Sequence, residues 1–177
     1  MSQVDPTAPV SLAYLQTLFA YDAWATGRVF ATAAALEPAA LDATPLSGLG
    51  SLRSILVHMV SATWVWRTRL AGTMPTAMLD PSELASLAAI EARWSAEDTA
   101  LRAMLTHFDV ATLAAPLSYQ TTSGKTFTTP RWQILVHLAN HGTQHRSEAA
   151  ALLTALGHSP GDLDMIVYFR AIAPTDA

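Results

Sequence analysis

The chain contains no cysteine. That excludes a disulfide framework, a thiolate metal site and a cysteine nucleophile. Charge is scarce as well. Charged residues make up 14% of the 177 positions, against 51% hydrophobic, and the formal net charge is −4. That balance argues against nucleic acid as a partner, because phosphate binding wants a basic surface. High apolar content with little charge excludes a disordered chain, and the length suits one domain, residues 1–177, that buries a real core. No stretch reaches about 18 uninterrupted apolar residues, so no membrane span is expected. The opening MSQVDPTAPV lacks the charged and then apolar segments of a signal peptide, and a cytoplasmic protein is the expectation. A Gly-rich phosphate loop and a GxSxG elbow are missing too.

What is present is helical periodicity. Residues 1–9, with Pro6 and Pro9, read as a loose lead-in. From Val10 to about Leu36, Leu12, Leu15, Phe19, Ala23, Val29 and Phe30 recur at helical spacing, and Glu37-Pro38 marks the end. A loop rich in proline and glycine follows. Ser51 then caps a second helix, running to about Ala71, whose buried stripe is Ile55, His58/Met59, Ala62, Trp66 and Leu70. Asp80-Pro81-Ser82-Glu83 reads as the start of a third helix reaching about Phe108. Residues 116–128, PLSYQTTSGKTFT, predict a short β-hairpin turning at Ser123-Gly124. Thr129-Pro130 caps and opens a fourth long helix, ended by Gly157, and Leu163 to Ile172 forms a short last segment. Trp64, Trp66 and Trp94 read as core aromatics, with an exposed interface as the alternative. Four long helices with short to medium links predict an all-α four-helix bundle, and bundle cores commonly house metal sites.

The fourth helix, RWQILVHLANHGTQHRSEAAALLTALG, carries His137, His141 and His145 at a spacing of four. Residues four apart lie on one face of a helix, about 6 Å apart along its axis, so two imidazoles can aim at one ion. His141 and His145 share a stripe with Ile134, Leu138, Ala149 and Leu152, and His58 falls on the stripe of the second helix. HGTQH has Gly142 where a zincin protease needs its general-base glutamate, so that class is excluded. The paired Glu-x-x-His of a di-iron bundle is absent as well. Three neutral imidazoles suit a divalent ion such as Zn, Ni or Fe and leave coordination positions open. Water on zinc there would ionise near pH 7, at a pKa of about 7, or a small thiol would bind as thiolate. The plain alternative is three core histidines bonded to backbone carbonyls without metal. His137 diverges from His145 by about 80° around the axis and reads as a packing or supporting group. Asp22 reads either as a carboxylate that orients a ligand histidine or as a solvated one. Arg146 points off the ligand face, to pair with a carboxylate or line the entrance.

Tyr21-Asp22-Ala23-Trp24, SILVHMVSA around His58, and WQILVHLANHGTQHR around His141 and His145 resemble the DinB family of metalloenzymes, with NHGTQHR the most specific part. The resemblance covers nearly the whole chain. It implies an up-down-down-up bundle with a hairpin before the last long helix, often assembled as a homodimer. It also implies a divalent metal held by His58, His141 and His145, with no comparable part for His137. Some members transfer bacillithiol, mycothiol or a similar cofactor. The resemblance therefore implies a metal-dependent enzyme that activates a low-molecular-weight thiol for transfer to an electrophilic small-molecule substrate in detoxification or stress. Tyr21 and Arg146 are candidates for substrate contacts. A metal-dependent hydrolase is the nearest rival, and a non-catalytic metal-binding stress protein is the alternative of a different class.

Overall fold

Ser11 turns the chain into its first helix. Its hydroxyl accepts from the Tyr14 N–H, which satisfies one of the donors a helix start leaves free. The structure, a computed structural model, describes residues 10–173, so the lead-in at 1–9 lies outside the described residues. Helix α1 spans Leu12–Ala33, a little shorter at both ends than its apolar spacing suggests. Helix α2 spans Leu52–Leu70 and opens on a reciprocal capping box: Ser51 accepts from the Ser54 N–H, and Ser54 accepts from the Ser51 N–H.

The start of the third helix differs from expectation. Asp80 does accept from the Ser82 N–H, but Pro81–Leu84 is only a 3-10 turn. That turn seats Leu84 in the core, and the chain becomes α-helical again only where Ser86 supplies a second cap, to the Ala89 N–H. Helix α3 is therefore Leu87–Leu105. It ends before Phe108 because the N–H groups of residues 106, 107 and 108 turn back onto carbonyls three residues earlier. A short helix α4, Val110–Ala114, follows under an Asp109 cap. Five residues are too few to show a period in the sequence.

Strands β1, Pro116–Gln120, and β2, Thr126–Pro130, form the expected antiparallel hairpin, with Tyr119 opposite Phe127. Its turn uses Gly124 at φ +84°, a conformation that side chains with a Cβ rarely adopt. Helix α5, Arg131–Ala155, starts without the predicted threonine cap. Thr129 stays in the strand, and Pro130 stands at the cap position with no side-chain bond. The helix closes as its glycine predicts: the Gly157 N–H bonds the Thr154 carbonyl and the His158 N–H bonds the Leu153 carbonyl. Helix α6 is Met165–Ile172.

Side-chain pairings give the directions of the four long helices. In the shared clusters, Leu15 and Phe19 of α1 meet Ile134 to Leu138 of α5, and Val29 and Phe30 meet Ala149 to Leu153, so α1 and α5 run parallel. Leu52 and Leu56 of α2 lie with Leu152 and Leu153, whereas Leu70 lies with Ile134, so α2 opposes α5. Arg67 pairs with Glu97 and Leu70 clusters with Leu101, so α2 and α3 run the same way. The connectivity is up-down-down-up, and residues 71–86 make the crossover that two parallel neighbours require.

Two large apolar cores fill the interior. One joins Phe30, Leu52, Leu56, Ile90 and Leu152; the other joins Leu15, Phe19, Leu101, Leu105 and Leu135. A smaller cluster of Tyr21, Ala25 and Tyr168 joins α1 to α6. Each fully buried leucine or phenylalanine contributes roughly 1.5–3 kcal/mol relative to exposure. Trp64 and Trp94 pack on the first core and Trp66 on the second. Between the two lies a polar layer holding Asp22, Asp98, His141 and Arg146. Among the described residues, no helix is long and apolar enough to cross a membrane.

Candidate metal centre

Helix α5 presents His141 and His145 one turn apart, and antiparallel α2 brings His58 against them. Nε2 of His141 lies 3.2 Å from Nε2 of His58 and 3.2 Å from Nε2 of His145. Ligand atoms of all three residues fall within 4.8 Å of one another. Two nitrogens bound to one zinc ion at about 2.0–2.1 Å and a tetrahedral angle sit roughly 3.3 Å apart. The spacing thus fits a shared cation. The donor set fits as well. A carboxylate only accepts, so the 2.6 Å contact between His145 Nδ1 and Glu148 Oε2 places the proton on Nδ1 and leaves the Nε2 lone pair facing the other rings. Convergent lone pairs repel unless a proton or a cation lies between them.

Two of the rings are pushed towards the neutral form. Burial pushes the His141 imidazole down to about 4, helped by His145, His58 and His137. His58 is pushed down too, first by the packing on its inner side and then by His145, against the pull of Glu148. The sequence reading put His58 on a core stripe; the structure corrects this, because His58 is exposed. Its neighbours Val57 and Met59 take the buried places, and His58 stands at the rim. Its open side borders a pocket of about 200 Å³ shared with Ser54, Ile55, His145 and Glu148.

The remaining candidates lie around this centre. Asp22 pairs with Arg146, not with a histidine. Arg146 is 2% exposed and also donates to Thr143 Oγ1 at 2.9 Å. Burial raises the Asp22 carboxyl above its ordinary range, and Arg146 offsets this only in part. Gly142 makes the pairing possible, since a Cβ there would fall 2.5 Å from Asp22 Oδ1. Tyr21 points away from the three rings: its hydroxyl donates to the Leu163 carbonyl at 2.9 Å, and its ring meets Trp24 and Tyr168. His137 is exposed, with its ring 5.7 Å from those of Trp66 and His141.

Two residues escaped the sequence reading. Glu148 was legible in principle, being three residues after His145 and so on the same face. Asp98 had no signal, since a carboxylate on a charged stretch of α3 reads as solvated. It is buried nonetheless, bonded to Arg102 at 3.1 Å. Burial, with Asp22 close by, raises it to about 6 against the pull of Arg102. Asp22, Asp98, His141 and Gly142 share the wall of a cavity of about 20 Å³, room for about one water molecule.

The molecule is thus a four-helix bundle that gathers three imidazoles from two antiparallel helices beside an open pocket. The model of the DinB family matches residues 5–175, and the chain belongs to that family. No curated protein matches it closely enough to add a reaction or a substrate.

Proposed function

We propose that His58, His141 and His145 hold a divalent ion, zinc, nickel or iron, and that the protein uses it to activate a low-molecular-weight thiol for transfer to a small-molecule electrophile. The observation that carries this reading is the convergence of three Nε2 atoms next to a pocket that reaches His58 and His145. A divalent ion in such a setting lowers the pKa of a thiol or water at its open positions, so that the nucleophile forms at neutral pH.

The protein's own residues set up that chemistry. Glu148 fixes the tautomer and orientation of His145. Burial keeps His141 neutral, and so able to donate its lone pair, well below pH 7. The Asp22–Arg146 pair ties α1 to α5 at the level of the ligands, so both act as positioning residues. A reducing cytoplasm, where small thiols stay free, is the setting in which this reaction makes sense. A homodimer belongs to the same proposal, supported by Ile166, Phe169 and Ile172, which are exposed along α6. Glu148 at the pocket wall also favours a second reading, hydrolysis by water with Glu148 as base. A labelled thiol with an electrophile, run against a panel of esters and amides, separates the two.

His141→Ala tests the common ground. The variant is expected to lose metal and activity while its far-UV circular dichroism stays bundle-like. A variant that still carries one ion per chain by elemental analysis overturns the assignment.

A further inference from the structure

His58 borders a second cavity, on the side of the crossover between α2 and α3. Its volume is about 330 Å³, and Val57, Met78, Leu79 and Pro81 supply its apolar wall. His58 and Ser54 line both this cavity and the pocket at His145 and Glu148, so the two compartments meet at the metal centre. The smaller one mixes Leu49 and Ile55 with the charged end of Glu148, and the larger one is predominantly apolar. We propose that the larger cavity is the subsite for the body of the electrophile, and that it selects a small, uncharged, largely apolar group of about benzyl to bicyclic size. This rests on the reading of the three histidines as a metal-dependent transfer site.

Electrostatics and size both point to that class. No carboxylate lines the cavity, and its one cation, Arg53, is already engaged. Arg53 Nε and Nη2 donate to the two Asp42 oxygens at 2.7 and 3.1 Å, and Nη1 donates to the Ala85 carbonyl at 2.6 Å. Asp42 neutralises Arg53 and three of its five N–H groups are spent, so an anion entering here gains little from it, and a cation finds no carboxylate; either would lose hydration with little return. Ser51 and Ser54 are committed to their reciprocal cap. Ser61, three residues after His58 on α2 and 2% exposed, adds a hydroxyl to the wall for one polar tip on the ligand. A dry cavity of about 150 Å³ accommodates benzene. The larger space therefore takes a substituted ring or a short branched chain, with its reactive end towards His58. Charge is turned away from this compartment.

The test uses zinc-loaded protein labelled with ¹³C at the methionine methyls and titrated with benzyl alcohol, benzoate and benzylammonium. Met78 is expected to shift saturably with benzyl alcohol, at a Kd of about 1 mM, and at least tenfold more weakly with either ion. With cobalt(II) in place of zinc, the protons of bound benzyl alcohol are expected to relax faster, which places the ligand beside the metal. Met78→Glu, on the loop and 39% exposed in the native chain, is expected to weaken benzyl alcohol at least tenfold while zinc content and helix content stay unchanged. The proposal is overturned if Met78 shows no saturable shift, if benzoate binds as tightly, if cobalt leaves relaxation unchanged, or if Met78→Glu binds normally. Elemental analysis of the cobalt-loaded protein separates the two failures: protein that takes up no metal counts against the proposed reaction, whereas unchanged relaxation in protein that holds one cobalt per chain counts against the subsite alone.

Discussion

Replacing Gly142 with alanine sets two effects of opposite sign against each other. Helix propensity alone favours alanine in a helix interior by about 0.8–1.0 kcal/mol. Against it stands the added Cβ, which would lie 2.5 Å from Asp22 Oδ1 and 2.8 Å from Arg146 Nη1. Both atoms would have to retreat by roughly 1 Å to reach ordinary contact. Neither has anywhere good to go: Arg146 is 2% exposed, and the Asp22 carboxyl is already destabilised by burial. Separating a buried ion pair costs about 3–5 kcal/mol, because it strands a charge. Even a partial separation outweighs the propensity gain, and a net loss of about 2 kcal/mol is expected, near 4–8 °C in Tm for a chain of this size. Urea unfolding followed by far-UV circular dichroism measures it. In an Asp22→Ala background the penalty should shrink, because one of the two clashing atoms is gone. Gly142→Ala protein as stable as wild type, or more stable, would refute the reasoning and reduce Gly142 to an ordinary helix residue.

Glu148→Gln keeps the shape of the side chain but removes the charge that orients His145. Metal affinity is expected to fall by about 10–100-fold, read by competition with a chromophoric chelator, and an unchanged affinity would deny Glu148 that part. Asp98 is raised from its ordinary 3.8 to about 6, so the folded state holds its proton more tightly than the unfolded state does. Its stabilising contribution is full well below pH 4 and is lost as pH rises through about 6, a change of about 2 kcal/mol once solvent screening is allowed for. Relative to Asp98→Asn, wild type should therefore lose stability by about that amount between pH 4 and pH 7. Parallel stability curves for the two proteins would remove the burial argument.

The four long helices were readable because apolar residues recur at three and four over many turns, and Ser51 and Gly157 supply cap and stop chemistry that local geometry obeys. The failures share a cause. Asp80 to Glu83 has every local mark of a helix start, yet the crossover and the burial of Leu84 decide what forms there. His58 sits beside Val57 and Met59, and its place at the rim depends on where α2 meets α5, which spacing along one helix does not encode. The Asp22–Arg146 pair joins residues 124 positions apart, and no single-helix pattern distinguishes such a buried carboxylate from a solvated one. The gathering of His58 with His141 and His145 was suggested by stripes on separate helices, and the supporting Glu148 was within reach of the same spacing rule.

The charged layer between the two apolar cores also governs axial slip. Sliding α5 by one turn, about 5.4 Å, would carry the Arg146 guanidinium in among leucines and leave Asp22 facing hydrocarbon. The bundle thus locks into a single longitudinal alignment as it folds, and that alignment sets the imidazoles of α2 and α5 at the same height. An arriving ion would meet a cradle already assembled and would have little ordering left to impose.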